Sequence, residues 1–345
     1  MEKVITNKRI DALDYIRGVA LLGIILVNIL DLLNIQIPDP KTIDASYQRF
    51  LYLFVEGRFY SIFSFLFGVG FYIFLSRAKS KGKNGYVLFI RRLIILLAFG
   101  LIHTIFQPGE ALKYYAICGF IVLPFYKVNK HINLALSLIL LVLFCVMGEK
   151  LLLTLPLILL GLAAGQYRVF ENLSQKTKPF ALFTAIMFLL SGIGFIIQYQ
   201  MIPGSPFQNM IVMDEDGSMD QASKFLKMGV SVGPILSAFF VGVLVLLLQT
   251  KVVQTLLSPL KYYGRMALTN YLGQTALILI AGKLFHFTAN LTYIQTLYVC
   301  IAIYIIQMIF SFFWLRLFKM GPFEWIWRLI TYWQVPPFIN KKTQS

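Results

Sequence analysis

Three histidines occur in the chain, and only His103 lies well inside an apolar run, FGLIHTIF. An imidazole with an ordinary pKa of about 6.5 suits a general base; the plainer alternative is a packed histidine bonded to a neighbouring backbone. QPGEALKYYAICG follows, and a turn at Pro108 and Gly109 brings Glu110 within a short loop of His103. A carboxylate so placed can orient the imidazole, as the third group of a relay does. It can also cap the next helix, where acid favours the dipole. A second set lies in LDYIRGVALLGIILVNILD, residues 13–31, which carries Asp14, Arg17, Asn28 and Asp31. Arg17 and Asn28 are eleven residues apart, so on a helix they are separated by only about 20°. Gly18 and Ala20 flank that stripe and would let another helix approach. Ionisable groups inside a membrane usually face a bundle interior or a wet cavity, although Asp14 and Arg17 could instead snorkel to an interface as an anchor. Glu56 and Arg58 open the next apolar run as interface charges or site residues, and Ser61, Ser64 and Gly68 form a packing seam behind them. Asn270 and Gln274, four residues apart, share one helix face and either bond another helix or line a cavity.

The elements that must position these residues are set by composition. The chain has 345 residues, 58% hydrophobic and 13% charged, against about 45–50% and about 25% in soluble domains. This is the composition of an integral membrane protein. The net charge of +16 does not point to nucleic acid, because the basic residues fall in short loops between apolar runs, the pattern that orients membrane proteins. Cys118, Cys145 and Cys300 sit inside apolar runs as small buried hydrophobes, with no disulfide or metal spacing. The first apolar run is too long for a cleavable signal and lacks a small-residue cleavage site, so it is expected to stay as a span.

Hydropathy predicts an all-α polytopic bundle, one integral membrane domain over 1–345. About ten spans are expected, at 13–33, 57–76, 90–107, 112–127, 132–148, 150–166, 179–198, 228–250, 264–286 and 291–318. With both termini in the cytoplasm, most of the 31 lysines and arginines fall on that side. Trp325, Trp327 and Trp333 mark 321–337 as an interfacial segment. Two long outer segments, 34–56 and 199–227, remain. The DEDG run at 214–217 reads as a solvated turn, since its spacing fits no calcium loop. Absent glycine-rich phosphate loops, nucleophile-elbow serines, HExxH and CxxC argue against nucleotide hydrolysis, zinc proteolysis and redox relay. No internal repeat supports an inverted-repeat transporter.

RIDALDYIRGVALLGIILVNIL, FSFLFGVGFYIF, RRLIILLAFGLIH with its following GE, and GRMALTNYLGQT together resemble the YeiB-like family of membrane proteins, from about Arg9 to Trp333. That family is similar to a wider group of transmembrane acyltransferases that includes heparan-α-glucosaminide N-acetyltransferase. Their shared opening, D-x-x-R-G-x-A with a polar residue eleven positions after the arginine, falls here on Asp14, Arg17, Gly18, Ala20 and Asn28. One departure is plain: 34–56 contains no histidine where the lysosomal enzyme has one ahead of its second span. Either His103 fills that role from another helix or the chemistry differs; Glu56 lies near the missing position but would need a raised pKa.

The resemblance implies transfer of an acyl group, acetyl in the first instance, from cytoplasmic acetyl-CoA or another acyl-CoA to an extracytoplasmic hydroxyl or amine. In that reading Asp14, Arg17, Arg91, Arg92 and Arg265 bind the CoA, the arginines meeting its phosphates, where arginine pairs well. His103, Glu110 and Asn28 carry the chemistry, and Glu56, Arg58, Asn270 and Gln274 meet substrate. Expected partners are membrane lipids and a cell-envelope glycan or lipid acceptor, with a homodimer left open, no nucleic acid and no metal. The expected location is the cell membrane. A transporter of a small lipid or metabolite would use the same polar stripe, and a sensor or scaffold is the third reading.

Overall fold

The computed structural model describes residues 10–211 and 219–340. The acidic run at 214–217 and the basic residues Lys3, Lys8, Arg9, Lys341 and Lys342 lie outside these described residues. Fourteen α-helices are described: α1 Asp11–Leu32, α2 Ile43–Phe54, α3 Arg58–Ser80, α4 Gly85–Thr104, α5 Leu112–Val122, α6 Lys130–Met147, α7 Thr154–Gln166, α8 Thr177–Gln200, α9 Gln221–Leu247, α10 Lys251–Leu256, α11 Ser258–Arg265, α12 Ala267–Leu284, α13 Tyr293–Leu317 and α14 Pro322–Tyr332. The described residues contain no strand; Phe318 and Ile339 form an isolated antiparallel bridge.

Among the described residues, seven helical stretches are long and apolar enough to cross a membrane, one of them spanning Ile43–Ser80 across the turn that parts α2 from α3. This makes the chain a multi-pass membrane protein. The predicted spans at 112–127 and 150–166 correspond to shorter helices, α5 and α7, and the one at 264–286 is divided between α11 and α12. Its polar residues, Asn270 and Gln274 among them, keep α12 below the hydropathy of a plain span. The segment 34–56 holds an unexpected helix, α2, closed at its start by Thr42, whose side chain accepts from the Ala45 amide. Outer faces of α6, α8 and α13 expose Val142, Leu189, Ile193 and Ile305. Such a surface is costly in water and natural against lipid tails.

Small residues fix the contacts that matter for the site. A Cβ on Gly68 would overlap the Ile158 carbonyl, and one on Gly161 the Phe65 carbonyl, so α3 and α7 approach at backbone distance. The seam read from Ser61, Ser64 and Gly68 thus presses α3 against α7; both serines bond back to their own helix, to Gly57 and Tyr60. Gly18 and Gly264 do the same for α1 and α11: a Cβ on the first would strike Leu260 O, one on the second Asp14 O. Close approach through small residues is how helices associate without a hydrophobic drive. Here it holds Arg17 and Arg265 at one end of the bundle.

Candidate active site

A cavity of about 690 Å³ opens at that basic end. Its walls carry eight basic side chains against two acidic ones, Asp14 and Glu324. Arg17, Arg77, Lys81, Arg92, Arg265 and Arg328 gather around the mouth; deeper in, Ile24, Phe63, Phe67 and Tyr115 make an apolar, aromatic throat. Phe63 and Arg77 both face it, fourteen residues apart on α3, so it runs about 21 Å along that helix. Arg17 donates to the buried carboxylate of Asp14 at 3.2 Å, one turn back on α1. Arg92 stacks on Trp327 with 3.5 Å from guanidinium carbon to ring centroid, and Trp327 Nε1 donates to Arg92 O at 2.9 Å. Arg91 points instead to Trp333 at 4.4 Å, outside the cavity wall. The amphipathic α14, expected to lie at the interface, is a wall of the cavity.

Glu324 on α14 does a second job. α12 has no capping side chain of its own. Glu324 supplies one from outside: one carboxylate oxygen accepts from the Leu268 and Thr269 amides at 2.7 and 3.1 Å, the other from the Thr269 hydroxyl at 2.6 Å. Burial pushes its carboxyl above the usual carboxylate range, with the bonds from Thr269 working against that rise.

At the far end of the throat lies His103, buried, with Glu110 buried beside it. Nδ1 of His103 is paired with one oxygen of Glu110, whose other oxygen accepts from the Leu112 amide at the start of α5. Both roles open to Glu110 in the sequence, orienting the ring and capping the helix, are filled at once. An ionised carboxylate can only accept, so Nδ1 carries the ring proton and Nε2 is left as the basic nitrogen. Nε2 lies 2.9 Å from the Thr275 hydroxyl on α12. Tyr271, one turn earlier, donates to Glu110 at 3.3 Å and packs edge-on to the imidazole. Tyr271, Ala111 and Leu112 all face the cavity, so its inner end abuts the pair.

The other candidates are placed as follows. Asn28 is half-buried, one turn beyond Ile24, the last α1 residue on the cavity wall and on the same helix face. Asn270 donates to Tyr263 O and to Ser311 Oγ on α13, both at 2.9 Å; Gln274 donates to the Tyr263 hydroxyl at 2.6 Å and to Leu21 O at 3.2 Å. These amides tie α12 to α11, α13 and α1. Glu56 and Arg58 sit at the opposite end, in a separate pocket of about 220 Å³. Glu56 pairs with Lys150 at 2.5 Å; Arg58, fully buried, donates to Glu56 O and Gln198 Oε1 at 2.6 and 2.7 Å. Tyr271, Thr275 and Glu324 were not singled out from the sequence, and Trp327 was read only as an interfacial aromatic. A Thr or Tyr inside a span carries no sequence mark of its partner. Glu324, an acid beside tryptophans and next to Gly-Pro, was the one available signal.

Over 343 residues the chain is 55% identical to an uncharacterized 39.9 kDa protein in amylase 3′ region of Bacillus acidopullulyticus, with 99% of each chain covered. It is 27% identical to the uncharacterized protein YxaH of Bacillus subtilis, across 100% of this chain and 99% of that one. Over 85 residues, 24% of this chain and 21% of the other, it is 39% identical to the uncharacterized protein YeiB of Escherichia coli. Residues 164–334 match the family described as protein of unknown function (DUF418). The chain belongs to the YeiB-like family. This YeiB-like protein also matches, over residues 9–173, the family described as heparan-alpha-glucosaminide N-acetyltransferase, catalytic, so the family is related to that acetyltransferase. His103 and Glu110 fall within the acetyltransferase match and Tyr271 and Thr275 within the match of unknown function, so the candidate site draws on both.

Proposed function

We propose that the protein is an acyltransferase of the cell membrane. It moves an acyl group, acetyl in the first instance, from acyl-CoA on the basic side to a hydroxyl or amine acceptor on the opposite side. The observation that carries this reading is Tyr271, which at once walls the basic cavity and touches both His103 and Glu110. A mouth rich in arginine over an aromatic throat matches a co-substrate with a polyanionic head and a long thin arm. On this reading the basic end faces the cytoplasm with both termini.

Arg17, Arg92 and Arg265 would hold the phosphates, and Phe63, Phe67 and Tyr115 would line the passage for the arm. Nε2 of His103 would take the acceptor's proton as the new bond to the acyl carbon forms and the thioester C–S bond breaks; the same imidazolium can return that proton to the departing sulfur. Glu110 would keep Nδ1 protonated and stabilise the imidazolium. Asn28, one turn past the throat, is the candidate donor to the thioester oxygen as charge develops there.

The test is direct. Purified protein in detergent is titrated with acetyl-CoA by calorimetry, and vesicles bearing it are given labelled acetyl-CoA on the basic side. Binding together with label on an envelope acceptor is expected. No binding at millimolar donor would end the proposal, and movement of an unmodified small molecule without transfer would replace the enzyme with a transporter.

A further inference from the structure

The turn that joins His103 to Glu110 contains a polar side chain with nothing to do. Gln107 is 1% exposed, and neither its amide nitrogen nor its amide oxygen has a hydrogen-bond partner. Leaving one buried polar atom unmet is unfavourable, and folded proteins rarely leave both ends of one amide so. The Gln107 backbone N–H donates to His103 O at 2.9 Å, which prolongs the last turn of α4. His103 and Gln107 are thus related as i and i+4 and project from the same face. On one side of the His103–Glu110 pair stand Tyr271 and Leu112, the cavity wall. On the other, the cover is the turn at Pro108 and Gly109, both exposed. A Cβ on Gly109 would lie 3.5 Å from the Gln107 amide nitrogen, so the side chain is tucked directly beneath that turn.

We infer that Gln107 holds the acceptor against His103, and that the acceptor presents a hydroxyl. This rests on the transferase reading above. The chemistry of the vacant groups selects the class. An amide with both a donor and an acceptor unmet is matched by a group that accepts and donates; an alkyl amine arrives at neutral pH as an ammonium, which only donates, and a carboxylate only accepts. A hydroxyl bound there from the side of the exposed turn would displace the Thr275 hydroxyl from Nε2. It would reach the inner end of the throat from the side opposite the donor. Its O–H proton passes to Nε2, its oxygen bonds the acyl carbon, and the thiol leaves with that proton, giving an ester.

The test compares wild type with Gln107→Met, which is close in size and cannot hydrogen-bond. Labelled acetyl-CoA is the donor, and a membrane extract from cells lacking the protein supplies acceptors. The expected results are four. Transfer by the variant falls at least tenfold, KM for acetyl-CoA is unchanged, the thermal midpoint is unchanged or raised, and the wild-type product loses its label to hydroxylamine, as an ester does. A lowered midpoint would make Gln107 a packing residue and overturn the inference. So would undiminished transfer, or a label that resists hydroxylamine as an amide does. A wild type that transfers nothing would remove the parent reading and this inference with it.

Discussion

Glu110 divides its two carboxylate oxygens between the His103 ring and the first amide group of α5. The imidazole is therefore held by the same residue that starts the returning helix, and the geometry of the pair is fixed by the α4–α5 hairpin. His103→Ala should leave acetyl-CoA binding intact and lower transfer by about 10²–10⁴-fold, the range of a lost general base. Glu110→Ala should do the same and also destabilise the fold by about 1 kcal/mol through the lost cap. Calorimetry, a transfer assay and thermal unfolding in detergent separate the two effects.

The backbone contact of α1 with α11 leaves no room at Gly18 or Gly264. Gly264→Ala should cost about 1–3 kcal/mol, the usual penalty of overpacking. Because the helices must part to admit the methyl group, Arg17 and Arg265 move with them, and donor affinity should fall too. Gly82, whose position has nothing nearby, serves for comparison: Gly82→Ala has no clash to relieve and should suffer only from its positive φ of 67°.

Arg17→Ala and Arg92→Gln should each weaken acetyl-CoA binding about tenfold, equivalent to about 1.4 kcal/mol. Wild-type affinity should fall as salt rises, and less steeply in the variants, because each has one charge fewer at the mouth. Unchanged affinity in both variants would show that the cavity is not where the donor binds.

Glu324 gives a pH dependence with a defined sign. Burial raises its folded-state pKa above the ordinary carboxylate value of about 4.3. Folding therefore favours the protonated form. The stabilisation from this shift is fully present below the ordinary value and is lost as pH climbs through the raised one. Thermal midpoints measured upward from about pH 4 should show this loss in wild type, and Glu324→Gln should flatten it.

Much of the site was legible because its residues are expensive where they stand. A histidine, an arginine and acids within apolar runs stand out, and 103, 110, 14 and 17 could be named from spacing alone. Helix limits were less legible where hydropathy and length part company. At 150–166 the run begins with Leu151, Leu152 and Leu153, which the structure places in a turn ahead of α7. In the segment 34–56, Asp44, Gln48 and Arg49 hide α2 from any apolar window. Gln48 is nevertheless fully buried, its amide nitrogen bonded to Phe207 O and the Tyr293 hydroxyl at 2.8 and 3.2 Å. Those partners lie 159 and 245 residues away in the chain, a distance no local pattern spans. Gln107 was passed over for the opposite reason: nothing marks an amide in a loop until its surroundings are known to be dry.

The cap on α12 arrives late. Leu268 and its neighbour receive their acceptor from Glu324, 56 positions further on, so a ribosome must make all of α12 and α13 before this helix start can be closed. The basic cavity, which α14 helps to wall, is accordingly completed only after α13 has been made. A chain stopped after α13 should insert into the bilayer and stay there, yet lack one wall of its basic cavity.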